Sequence, residues 1–131
     1  MPRDGWPDWD LYVRRGCICE YCGFDGTTYL GWQQLETDHI IPQCKSGKDQ
    51  GTTTNKAVAC HGCNRDKGSY DPRNGETLDG EAIKEPIDEA MRSELIRRAW
   101  QRIRENRERK QYPAAHRDMI DEIKNRKDRG L

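Results

Sequence analysis

The chain has 131 residues, 33% of them apolar and 35% charged, with a single Phe and a net charge of zero. That length fits one domain with an appendage, and so few apolar residues struggle to offset the conformational entropy lost on folding. No apolar run reaches the length a bilayer needs, which excludes a membrane-spanning chain, and some constraint besides a core must hold the fold, the six cysteines being the candidates.

The opening residues, "MPRDGWPDWD", carry charges and prolines but no apolar h-region, so no signal peptide is read there. The expectation is a cytoplasmic protein of a host or infected bacterial cell, where a cysteine cluster more often means metal than disulfide. Residues 5–15 predict a short helix after Pro7, with Trp9 and Leu11 or Tyr12 facing inward. Residues 16–70 hold all six cysteines, from Cys17 to Cys63. Residues 71–86, "DPRNGETLDGEAIKEP", are rich in Pro, Gly and acid and read as a connector. Residues 87–128 read as helical with a break near Tyr112 and Pro113. Met91, Leu95, Ala99 and Ile103 recur at intervals of four in the first helix, and Tyr112, His116, Met119, Ile120 and Ile123 form a narrow face on the second. These faces could pack on the cysteine-rich core, on each other or on a second subunit. Residues 92–131 carry 13 basic and 7 acidic side chains; a basic third of this kind either follows a polyanion or presents solvated helix faces.

Cys19-Glu20-Tyr21-Cys22 and Cys60-His61-Gly62-Cys63 are two CxxC pairs. A CxxC turn delivers two sulfurs to one ion, and two turns close a tetrahedral four-cysteine zinc site. Gly23 and Gly62 suit the tight turns this needs. A redox or disulfide role would require an oxidising compartment or a thioredoxin-like pattern, and neither is present. Cys17 could compete with Cys19 for the ion, while Cys44 is simplest as a free thiol. Thiolate zinc supplies on the order of 10 kcal/mol or more in small fingers, which would compensate for the weak core.

Between and just after these pairs lie "TDHIIP" at 37–42, Asn55 in "TTTNKAVAC" and Asn64 in "CHGCNRDKGS". The order CxxC, Asp-His-Ile-x-Pro, Asn, CxxC-Asn-x-x-Lys-Gly resembles the HNH endonucleases of the zinc-stapled subtype, over about residues 17–69. The last letter here is Asn, an HNN variant. The resemblance implies an α+β fold, a small ββα-metal finger with structural zinc, flanked by a short N-terminal helix and two C-terminal helices. Its strands would run about 35–41 and 57–60, with a helix from about 61–69. An extra turn or strand is expected around "TTYLGW". The division implied is a nuclease core at 1–70, a connector at 71–86 and a helical extension at 87–131.

By the same resemblance, His39 is the general base toward water. Asp38, on the opposite face of the strand, binds a catalytic divalent ion together with Asn64. Carboxylate and amide oxygens are hard donors suited to Mg²⁺ or Mn²⁺, unlike the Zn²⁺ held by Cys19, Cys22, Cys60 and Cys63. Asn55 holds the facing loop and orients His39. Lys67 and Arg65 contact phosphates or are solvated. The function implied is a metal-dependent endonuclease that hydrolyses DNA phosphodiester bonds, as a homodimer through the C-terminal helices if two copies are needed. A zinc-stapled DNA-binding or assembly module without catalysis is the alternative from another class.

Overall fold

A computed structural model describes residues 8–42, 53–73 and 87–130. Among these, helix α1 spans Trp9–Arg14, helix α2 Tyr29–Trp32, strand β1 Leu35–His39, strand β2 Lys56–Cys60, helix α3 His61–Lys67, helix α4 Glu89–Arg109 and helix α5 Tyr112–Asp128. The two strands are antiparallel, with Asp38 opposite Ala57 and His39 opposite Lys56. Together β1, β2 and α3 form the ββα unit of the expected α+β finger. Cys44 and most of the connector, residues 74–86, lie outside the described residues.

Strand alternation sorts the molecule into layers, because successive side chains point to opposite faces. On one face Leu35 and Val58 pack with Leu11 and Tyr12 of α1. On the other, Ala57 and Ala59 pack with Tyr21, Ile40, Ile41, Cys63, Leu95, Ala99 and Ile103. Burying a side chain the size of Leu95 or Ile103 contributes roughly 1.5–3 kcal/mol. The long helix α4 is thus built into the core of the finger. The Asp88 side chain caps it by accepting from the Met91 N–H at 2.7 Å, satisfying one of the orphan donors of the first turn.

β1 is shorter than the expected 35–41, and Asn55 supplies the reason. The Ile40 N–H donates to the Asn55 carbonyl at 2.8 Å, but at Ile41 the ladder is replaced by the Asn55 carboxamide. Its Oδ1 accepts from Ile41 N–H at 2.9 Å and its Nδ2 donates to Ile41 O at 3.0 Å. Pro42 then has no N–H to offer.

Four local readings resolve in the structure. Leu11 and Tyr12 are both buried, while Trp9 is 43% exposed at the rim of an apolar pocket shared with Val13, Cys17 and Trp32. "TTYLGW" becomes the single turn α2, capped by the Thr28 hydroxyl, which accepts from Gly31 N–H at 3.0 Å. Met91 is exposed, so the α4 stripe begins at Leu95. Helix α5 buries none of its residues; Tyr112, Met119, Ile120 and Ile123 all face out. Gln111, in the left-handed region at φ 58°, turns the chain between the two helices, and Pro113 sits in the first turn of α5.

Candidate active site

The four sulfurs of Cys19, Cys22, Cys60 and Cys63 lie within 4.8 Å of one another, with Cys22 Sγ 3.7 Å from Cys60 Sγ. A tetrahedral zinc with bonds of about 2.3 Å would space its sulfurs by roughly 3.8 Å, so the cluster fits that ion. Both CxxC turns make the same internal bond: Cys22 N–H points to Cys19 Sγ at 3.5 Å and Cys63 N–H to Cys60 Sγ at 3.4 Å. The crowding has an electrostatic signature. Hydrogen bonds from the Cys60 and Cys63 thiols hold Cys19 far below the ordinary thiol range, whereas Cys60 is pushed up to about 11 and Cys63 higher still. One negative charge is accepted and further ones are resisted, so a cation entering the cluster would release protons. Cys17 stays outside the cluster, half-buried beside Tyr12 and Trp32.

The first turn does more than carry sulfur. Glu20 runs along the outer edge of β2, its N–H donating to Val58 O at 2.8 Å and its Oε2 accepting from Val58 N–H at 2.7 Å. Arg92 of α4, 2% exposed, grips both Glu20 oxygens at 2.8 and 2.9 Å and donates to Lys56 O at 2.7 Å. At the second turn, Arg107 of α4 reaches Cys63 Sγ at 3.3 Å and Asp66 Oδ2 at 2.8 Å.

Asp38 and His39 leave β1 on opposite faces. Asp38, 6% exposed, turns toward α3. The Tyr21 hydroxyl donates to its Oδ2 at 2.5 Å, and Lys67 Nζ lies 3.2 Å from Oδ2 and 3.5 Å from Oδ1. Burial pushes the Asp38 carboxyl above the usual range, against the downward pull of Lys67 and Tyr21. Burial and the adjacent Asp38 charge push the Tyr21 phenol well up, which keeps it a donor. On the other face, Thr37 donates to Asp8 Oδ2 at 2.8 Å and Lys56 Nζ pairs with Asp8 Oδ1 at 3.2 Å. His39 follows Thr37 by two residues and lies directly opposite Lys56, so it shares this face and is half-exposed. Asn55 is fully buried and fixes the main chain immediately after His39.

Asn64 is half-buried on α3. His61 meets Glu36 at 2.7 Å and Lys67 meets Asp38, which puts Asn64 midway along the helix between those two contacts with β1. An ion held between Asp38 and Asn64 would be offered one carboxylate and one amide. Mg²⁺ and Mn²⁺ fit such a sparse oxygen set when substrate phosphate and water complete the shell. Among the described residues the four cysteines are the one cluster of three or more His, Cys, Asp or Glu donors. Arg65 is exposed at the side chain, 5.9 Å from the Tyr112 ring. Lys67 is only 3% exposed and also donates to His39 O at 3.0 Å, so it lies inside the finger and away from its surface.

The roles of Tyr21, Glu20, Arg92 and Arg107 at the two CxxC turns escaped sequence reasoning. A signal for Tyr21 existed, since a large aromatic inside a metal turn must be buried somewhere. Nothing local marks Arg92 or Arg107 among so many arginines.

A cysteine-stapled ββα finger presenting an Asp-His pair is the architecture in hand. Residues 19–70 match the family model described as HNH endonuclease. It is also 36% identical over 58 residues to the CRISPR-associated endonuclease Cas9 of Actinomyces naeslundii, a match covering 44% of this chain but 5% of that protein. No solved structure matches the chain. Among the described residues, no helix is long and apolar enough to cross a membrane.

Proposed function

We propose that the chain is a metal-dependent endonuclease that hydrolyses DNA phosphodiester bonds. The reading rests on one observation above the others: within a segment matching the HNH endonuclease family, Asp38 and His39 leave β1 on opposite faces while Asn55 locks the chain beside them. His39 takes a proton from the attacking water. Asp38 and Asn64 would hold a Mg²⁺ or Mn²⁺ ion, which would supply positive charge to stabilise the phosphate as its bond breaks. Asn55 fixes the backbone that orients His39. Arg65 is the phosphate contact; Lys67, buried on Asp38, supports the carboxylate instead. Cysteine-bound zinc favours a reducing, cytoplasmic setting, and the apolar face of α5 is the surface through which two copies would pair to cut both strands.

The decisive test is digestion of supercoiled plasmid, single-stranded DNA and RNA with Mg²⁺, Mn²⁺ or chelator, comparing the native chain with His39→Ala. Cleavage should fall by about 100-fold or more in the variant, the scale of a lost general base, with zinc content and melting temperature retained. Metal-dependent cutting by a pure His39→Ala preparation at the native rate would sink the assignment. DNA binding without cleavage by the native chain under any divalent ion would favour the binding-module alternative.

A further inference from the structure

We infer that Tyr21, a residue of the first zinc turn, is a positioning residue for the catalytic ion, acting through Asp38. This deepens the proposed function and rests on its reading of Asp38 as an ion ligand.

Tyr21 is 5% exposed and its ring lies among Cys19, Ile40, Ala57 and Ala59, a setting Phe would fill equally well. A hydroxyl in such a place must find a partner, because an unpaired one is costly. The partner is Asp38, and the bond is directional. Oδ2 takes the Tyr21 hydroxyl at 2.5 Å and Lys67 at 3.2 Å, while Oδ1 keeps only a long contact to Lys67 at 3.5 Å. The carboxylate is thereby held by one oxygen, and Oδ1 is the one with lone pairs to spare. A single presented oxygen suits an octahedral ion that keeps several waters.

The ring in turn is held from both sides of the chain. Cys19 and Cys22 flank it in the four-sulfur cluster, and Glu20 pins the same turn to Val58. Zinc therefore fixes the turn, the turn fixes Tyr21, and Tyr21 fixes the rotation of Asp38. The staple and the reacting centre form one continuous assembly.

The test uses the full zinc-loaded chain and Tyr21→Phe, with Asp38→Asn as the reference. Mn²⁺ binding is followed by electron paramagnetic resonance without nucleic acid, alongside zinc content and thermal melting. Outer partners of metal ligands are commonly worth about 10- to 100-fold in affinity. Tyr21→Phe should weaken Mn²⁺ binding about 10-fold, and raise the Mn²⁺ needed for half-maximal cleavage to match, while zinc content stays native. Native Mn²⁺ affinity in Tyr21→Phe, with binding lost in Asp38→Asn, overturns the role of Tyr21 and leaves the site reading intact. Native affinity in Asp38→Asn as well would instead remove Asp38 from the ion site. Should Tyr21→Phe not fold, fluorotyrosine placed at position 21 keeps the volume and alters the acidity of the donor. Its Mn²⁺ affinity must then shift, and an unchanged value refutes the inference.

Discussion

The two C-terminal helices look alike in sequence and behave oppositely in the fold. Both are charged, both carry an apolar stripe, and only two residues, Lys110 and Gln111, separate them. Helix α4 buries Arg92, Leu95, Ala99 and Ile103, and its arginines bind both CxxC turns. Helix α5 buries nothing, and Arg65 of the finger lies over its Tyr112 ring. A stripe of the right period says which side of a helix wants cover. It does not say whether the same chain provides it. What separates these helices is the set of charged partners: α4 meets Glu20, Lys56 O, Asp66 and Cys63 with matched donors, and α5 meets no comparable set among the described residues.

That contrast can be broken or sharpened by substitution. The largest effect is expected from Arg92→Ala, which leaves Glu20, 12% exposed at its side chain, without its bidentate partner. Removing one member of a buried pair costs about 3–5 kcal/mol, readable as a lower denaturant midpoint, and a loss under about 1 kcal/mol would reduce Arg92 to a surface-type pair. Next is Arg107→Ala, whose guanidinium sits on Cys63 Sγ. Zinc affinity measured by chelator competition should fall by roughly 10-fold, and native retention would make the contact incidental. Smallest is Ile120→Ser on α5, expected to change stability by no more than about 0.5 kcal/mol, as for an exposed site. If α5 pairs two copies, light scattering should show the dimer weakened by that change. A drop of 2 kcal/mol or more in the melting of a chain that stays monomeric throughout would mean that α5 packs on its own finger.

The finger was largely legible from sequence because its signals are local and chemical. Two CxxC pairs announce the staple, and Asp38-His39 in a short apolar strand announces opposed faces. β2, α3 and the break before Pro113 fall within a residue or two of expectation. Less legible was everything decided by distant partners. Lys67 reads as a phosphate contact or a solvated lysine until Asp38 and the His39 carbonyl are brought to it. Trp9 reads as core, yet Leu11 and Tyr12 fill the space over β1 and leave it at a rim. Whether a turn or a strand forms where the single-turn α2 lies stayed open, because four residues of helix carry no periodicity to detect. The three-dimensional neighbours of Tyr21 were equally invisible, although its position inside the turn was plain.

Glu20 carries one further consequence. A two-stranded sheet has two outer edges, each a row of unsatisfied amides and carbonyls inviting a foreign strand. By engaging both the N–H and the carbonyl of Val58, the first metal turn covers the outer edge of β2 as a third strand would. Its hold depends on Cys19 and Cys22 staying gathered in the four-sulfur cluster. A zinc ion held by this cluster would therefore guard against self-association as much as stabilise the fold, and a chain stripped of it would be sticky before it was unfolded.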